Sequence, residues 1–394
     1  MRPLACLALL ALAAGPAAAQ EDIRLVTLRS VAYQGERQLV VRTPAGYEKA
    51  LERRYPVVYF TDGLANLDAL AAAARFLEGA GRIPPVLLVG IVHRDRTGEL
   101  TPTRSTDPRD GRAPTGGGAD VLLTFLEKEV VPWVEKTYRA APLRILAGHS
   151  FGGLFSMHVL ASRPGMFRAH LAISPSLAWD GGVALKRLEE TVKREPGLAA
   201  TVVAARGDEG PELAANVARL GEVLAPAKGV TFRSLEFPGE DHASVVFPAQ
   251  HRGLQALFEG WRMPVAAGDL GPRGGLAAVD AHYEALSRRL GFQVPPPEAV
   301  ANLAAYQLLR EGDAEGAVRA FQRNVERYPL SANVHDSLGE AYERNGELDA
   351  AARAYAKAVD LAARAKDPNL PVFERNLARL NATLEAQRLG AGGR

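Results

Sequence analysis

A single cysteine stands in a chain of 394 residues, at position 6. One thiol excludes a disulfide framework and any all-cysteine zinc or iron–sulfur site. An excess of either charge is equally absent. The 47 basic and 45 acidic residues leave a formal net charge of +2, which gives no long-range field to draw the chain to nucleic acid. No nucleic-acid partner is expected. Apolar runs of bilayer length are missing as well, so no membrane span is expected. There is no H-E-x-x-H and no Cys/His cluster, and no phosphate-loop pattern. Gly116-Gly117-Gly118 lacks the strand and the lysine that such a loop needs. Neither a metal nor a cofactor is expected. Apolar residues are abundant, at 47%, which supplies a large buried core.

The N-terminus reads as a secretory signal. Arg2 provides the positive start, Leu4 to Ala14 the apolar stretch, and Ala17-Ala18-Ala19 the small-residue cleavage pattern before Gln20. The expected product is an exported protein, periplasmic or secreted. Cleavage removes Cys6, so the mature chain has no thiol to act as a nucleophile.

From Ile23 to about Trp261, short apolar runs alternate with longer helical patterns. Leu25–Ala32 and Leu39–Thr43 form an expected hairpin around Gln34-Gly35-Glu36. Further strands are expected at Val57–Phe60, Val86–Val92, Arg144–Ala147, His170–Ser174, Ala200–Ala205 and Phe232–Phe237. Several are continuously apolar, as strands covered on both faces are. Helical patterns occupy Ala65–Leu77, Ala119–Tyr138, Gly152–Ser162, Leu185–Lys193, Leu213–Leu224 and Ala249–Arg262. This alternation predicts one α/β domain with a mainly parallel eight-stranded sheet and helices on both faces. Its bounds are 20–262, and the proline- and glycine-rich segment 263–275 reads as a linker.

Residues 276–394 are helical by pattern, and they repeat. Gly312, Ala317 and Phe321 recur as Gly346, Ala351 and Tyr355 at a constant offset of 34 residues. That period, in helix–turn–helix units, resembles the tetratricopeptide repeat. Helices at 276–290 and Val372–Leu389 would cap the array. Such arrays bind peptides or a second copy of the chain.

One motif carries chemistry. The strand pattern Arg144-Ile145-Leu146-Ala147 runs into Gly148-His149-Ser150-Phe151-Gly152, and a helix follows. G-x-S-x-G between a strand and a helix is the nucleophile elbow. The turn is so sharp that residues two before and two after the serine nearly collide, which glycine permits. Ser150 is the expected nucleophile, and the N–H of Phe151 can face a developing oxyanion.

A serine needs a base, and in this arrangement the chain order is serine, acid, histidine. Six histidines follow Ser150. His158 and His170 fall within a helix and a strand, and His282 and His335 in the helical tail. His251 lies on a helix and is the weaker rival. His242 closes the loop Phe237–His242 after the last strand, where sites of parallel sheets assemble, and is the expected base. The acid should follow the preceding strand, where Asp208 and Glu209 stand side by side; spacing does not separate them. A second oxyanion donor is expected from the loop after Val57–Phe60, at Leu64 in Thr61-Asp62-Gly63-Leu64.

Five segments occur in a telling order. They are Tyr59–Leu64, Val89-Gly90-Ile91 with Asp95-Arg96 and Leu100-Thr101-Pro102, Gly148–Gly153, Ile173-Ser174-Pro175-Ser176, and Gly239–His242. Together they resemble the putative esterase family of α/β-hydrolases, across about residues 24–262. This family includes siderophore esterases, S-formylglutathione hydrolase and the mycolyltransferases. The resemblance implies Ser150 as nucleophile, His242 as base, and Leu64 and Phe151 as oxyanion donors. It favours Glu209 over Asp208, and it puts Ser176 and Trp179 near the substrate pocket. Export counts against the S-formylglutathione hydrolase reading. The expected function is an exported carboxylic-ester hydrolase acting on a siderophore-type or other small ester. Acyl transfer through the same intermediate is the alternative, as is a peptide- or protein-binding role for the repeats on a non-catalytic scaffold.

Overall fold

The structure is a computed structural model, and it describes residues 22–49, 51, 53–106, 115–264, 271–272 and 274–391. The expected signal at 1–19 and much of the expected linker lie outside these residues. The chain divides into two compact units between Glu259 and Gly260.

The first unit is built on eight strands. They are β1 (Asp22–Ser30), β2 (Gly35–Thr43), β3 (Tyr55–Phe60), β4 (Leu87–Ile91), β5 (Ala140–His149), β6 (Ala169–Ile173), β7 (Ala199–Arg206) and β8 (Gly229–Glu236). Their order across the sheet is β1-β2-β4-β3-β5-β6-β7-β8. The β1–β2 and β2–β4 pairings are antiparallel and the rest parallel. Strands β3, β4 and β6 are buried along their whole length, as their continuous apolar runs require. The outer strand β8 instead alternates in exposure, because only one of its faces is covered.

Register assigns the two faces. Tyr59, Leu146, His170 and Val202 stand side by side across β3, β5, β6 and β7. On that face pack α3 (Ala119–Phe125), α4 (Val131–Thr137), α5 (Phe151–Ser162), α6 (Trp179–Arg194) and α7 (Pro211–Leu224). Phe60, Ala147, Leu171 and Val203 point to the opposite face. There α1 (Gly63–Gly79) and α8 (Val246–Leu257) pack together. Between α1 and α3 lies the short helix α2 (Arg96–Leu100).

Three expected helices differ in detail. The pattern over Ala119–Tyr138 is broken by a π-turn at Leu126–Val130. Pro132 in the next turn has no N–H to donate to the preceding turn, which favours the wider loop there. Helix α6 begins at Trp179, but Asp180, Gly181 and Gly182 sit in left-handed conformations, so its regular part starts after them. Helix α8 ends at Leu257 rather than Arg262; the Phe258 N–H returns to the Leu254 carbonyl and Gly260 takes φ 75°.

The second unit consists of α9 (Gly275–Leu290), α10 (Glu298–Arg310), α11 (Ala314–Arg327), α12 (Ala332–Arg344), α13 (Leu348–Ala365) and α14 (Leu370–Ala391). Helix pairs α10–α11 and α12–α13 turn at Gly312 (φ 85°) and Gly346 (φ 82°). The matched residues Ala317 and Ala351, and Phe321 and Tyr355, are buried in both pairs. Among the described residues, no helix is long and apolar enough to cross a membrane.

Candidate active site

Ser150 lies between β5 and α5 at φ 60°, ψ −116°, a conformation that costs a non-glycine residue on the order of 1–3 kcal/mol. The turn is as tight as the two glycines require. A Cβ on Gly148 would stand 2.3 Å from the backbone carbon of Gly152, and one on Gly152 would stand 2.1 Å from Thr61 Oγ1. The Ser150 N–H donates to the Ile173 carbonyl at 2.9 Å, which ties the elbow to β6. Its Oγ lies 3.3 Å from Ser176 Oγ, and the Ser176 N–H donates to the Ser150 carbonyl at 3.2 Å.

The two adjacent acids after β7 point to different partners. Glu209 Oε2 accepts from Nδ1 of His242, while its Oε1 accepts from the Ser174 hydroxyl and, at 3.0 Å, from the Gly207 N–H. Burial pushes this carboxyl up, but the bonds from Ser174, Gly207 and His242 outweigh it and hold it below its ordinary value. The carboxylate is therefore the ionised partner of the imidazole. Asp208 turns away: its Oδ2 accepts from the Gly239 N–H at 2.6 Å, and its N–H donates to the Glu240 carbonyl at 2.7 Å. It braces the His242 loop and leaves the ring to Glu209. Among the described residues, no hydrogen bond joins Ser150 to His242. Such contacts often tighten only when substrate binds.

Leu64 and Phe151 occupy the first turns of α1 and α5, where backbone N–H groups have no acceptor within their own helix. Gly63 admits the close approach of α1 to β4, since a Cβ there would stand 2.8 Å from Gly90. Asp62, just before it, is left-handed at φ 57° and is gripped by Arg96. Arg96 Nε and Nη2 donate to its two oxygens at 2.7 and 3.0 Å, and Nη2 also donates to the His149 carbonyl at 3.1 Å. One guanidinium thus spans the segments leading to both N–H groups. Trp179 is buried, at 1% exposure. Its ring meets Phe151 edge-on at 5.2 Å and its Nε1–H donates to the Thr103 carbonyl at 3.2 Å.

The other histidines have separate settings. His170 is fully buried beside Ser156, and burial pulls it down to about 4. His158 pairs with Asp120 at 2.9 Å. His251 stacks near Phe76, and His282 and His335 contact the backbone carbonyls of Gly260 and Pro329. His149 precedes the serine, outside the serine–acid–histidine order, and yet meets His242, with ring centres 4.6 Å apart. Arg96 stands in one of the five family segments, but its grip on Asp62 and His149 was not foreseen. The signal for both was position: each lies at or just past the carboxyl end of a central strand.

A strand–elbow–helix unit on a mainly parallel eight-stranded sheet defines an α/β-hydrolase. The model of the family described as "Putative esterase" matches residues 30–270. The ferri-bacillibactin esterase BesA of Bacillus subtilis is 30% identical over 226 residues, which cover 51% of this chain and 78% of that protein. The siderophore triacetylfusarinine C esterase of Aspergillus fumigatus is 30% identical over 246 residues, 52% of this chain and 82% of that one. An IroE-like serine hydrolase from Shewanella oneidensis superposes with a TM-score of 0.65 at 26% identity, covering 78% of this chain and 100% of that one. The chain belongs to this esterase family and is a carboxylic-ester hydrolase.

Proposed function

We propose that the chain is an exported serine esterase that works through an acyl-enzyme on Ser150. The observation that carries this reading is the Glu209 carboxylate, fixed by Ser174 and Gly207 and bonded to His242 beside the strained elbow. Ser150 leaves its contact with Ser176 and attacks the ester carbonyl. His242 Nε2 takes the serine proton and passes it to the departing alcohol, while Glu209 holds Nδ1–H and offsets the charge on the ring. Water then repeats the sequence on the acyl-enzyme. The Leu64 and Phe151 N–H groups receive the oxyanion, each worth about 10²–10³ in rate.

The names of the relatives support a siderophore-type or other small ester as substrate. The N-terminal pattern supports export, and the 34-residue repeat supports a tetratricopeptide array that binds a protein partner or a second copy. The test is Ser150→Ala, which should abolish turnover of a short p-nitrophenyl ester and labelling by a fluorophosphonate. Unchanged turnover refutes the reading. A panel of acyl lengths and triester siderophores names the substrate, and product analysis with added alcohols separates hydrolysis from acyl transfer.

A further inference from the structure

We propose that His149 is a positioning residue for the general base, holding the His242 loop on the end of β5. The inference rests on the serine-esterase reading above. The side chain of His242 is 52% exposed, so packing does not fix it. The loop's other anchors grip its neighbours. Asp208 takes the Gly239 N–H and gives its own N–H to Glu240, and Asp241 accepts from the N–H groups of Ala243 and Ser244. The backbone carbonyl of His242 itself is held by His149, whose Nε2 lies 2.8 Å from it.

A carbonyl only accepts, so Nε2 of His149 carries the proton and donates. The two rings are 4.6 Å apart and inclined at 46°, which gives His242 one packed side. The support is rigid. His149 is the last residue of β5, in register with Ile173 of β6, and Arg96 grips its carbonyl. Burial lowers the pKa of His149, and the charges of the neighbouring His242 and Arg96 lower it further; the bond to the His242 carbonyl and the charge of Asp62 oppose them, and the net direction is down. The neutral ring donates its bond without setting a second positive charge beside the imidazolium that forms on His242.

Without this bond the loop relaxes and His242 Nε2 loses its aim at Ser150. A displacement near 1 Å is enough to cost on the order of 100-fold. His149→Phe keeps a ring and loses the donor; His149→Gln keeps a donor. With a short p-nitrophenyl ester, His149→Phe should lower kcat about 10- to 100-fold at nearly constant KM, and His149→Gln should stay within about 5-fold of wild type. In a His242→Ala background, adding His149→Phe should cost nothing more, because the pair acts as a unit. Wild-type kcat in His149→Phe, an equal loss in His149→Gln, or a full additive loss in the double variant each overturn the proposal. Unimpaired turnover in His242→Ala alone would instead overturn the serine-esterase reading.

Discussion

Replacing Glu209 by glutamine separates the two adjacent acids and tests the proton path. The amide that Glu209→Gln introduces has one acceptor oxygen where the carboxylate had two. Two donors, the Ser174 hydroxyl and the Gly207 N–H, converge on Oε1, so the amide oxygen stays there. The NH₂ group then faces Nδ1 of His242, where the carboxylate had accepted a bond. An amide N–H cannot accept, so Nδ1 must give up its proton and Nε2 must take it. That tautomer cannot receive the proton of Ser150. The corresponding change in a serine–histidine–aspartate site lowers kcat about 10⁴-fold. At 1.36 kcal/mol for each factor of ten, this raises the barrier by about 5 kcal/mol. Asp208→Asn keeps an oxygen for the Gly239 N–H and should cost less than about 10-fold. The assay is kcat and KM for a p-nitrophenyl ester, with thermal unfolding as the control for folding. Activity in Glu209→Gln within 10-fold of wild type, or the larger loss in Asp208→Asn, refutes the argument.

Arg96→Ala should lower kcat about 10- to 100-fold on a neutral ester, because Asp62 loses the grip that offsets its left-handed backbone beside Leu64; Arg96→Lys should recover only part. Gly148→Ala should destabilise the first unit by more than about 4 kcal/mol in denaturant titrations, since its Cβ would stand 2.3 Å from backbone. Glu99 receives both guanidinium nitrogens of Arg37 and lies 2.8 Å from Nδ1 of His93. Burial pushes its carboxyl up, but His93 and Arg37 outweigh this and hold it down to about 2 from 4.5. A depressed carboxyl stabilises the fold above its unfolded value and loses that contribution as pH falls through the folded one. About 3 kcal/mol should therefore disappear between pH 4.5 and 2, read by urea unfolding at each pH, and Glu99→Gln should flatten that slope. In the second unit, Gly339→Ala would put a Cβ 2.7 Å from the Tyr355 ring and should lower that unit's stability by about 1–3 kcal/mol.

Local chemistry was legible in the sequence, and contacts between distant segments were not. The apolar runs at Val57–Phe60 and His170–Ser174 gave strands, because burial on both faces leaves an unbroken signal. The elbow was legible because its steric demand falls on two nearby glycines. Spacing left the choice between Asp208 and Glu209 open, and only the family resemblance favoured Glu209, since adjacent residues leave a loop in opposite directions and their partners decide which one faces the ring. The role of Arg96 was hidden for a related reason. Its partners Asp62 and His149 lie 34 and 53 residues away, and no periodicity marks such a meeting. The break in the Ala119–Tyr138 helix had a visible cause in Pro132, but a proline can kink, end or merely widen a helix.

The proposed mechanism puts the proton-transfer chemistry on an exposed loop and its restraints on the sheet. Residues 241–244, His242 among them, are all exposed, so the segment has little apolar surface with which to hold itself. Its fixed points come instead from strand ends: Asp208 and Glu209 follow β7, Ser174 follows β6, and His149 ends β5. These strands are paired side by side, in parallel, so their ends move as one body. Ser150 follows the same β5, and its N–H is tied to the last residue of β6. The proposed nucleophile and base are therefore referred to one rigid edge, although neither bonds to the other in the resting protein. Changes at the strand ends should consequently act on turnover more than on substrate affinity, and changes at exposed loop positions without a strand-end partner, such as Ala243, should do little to either.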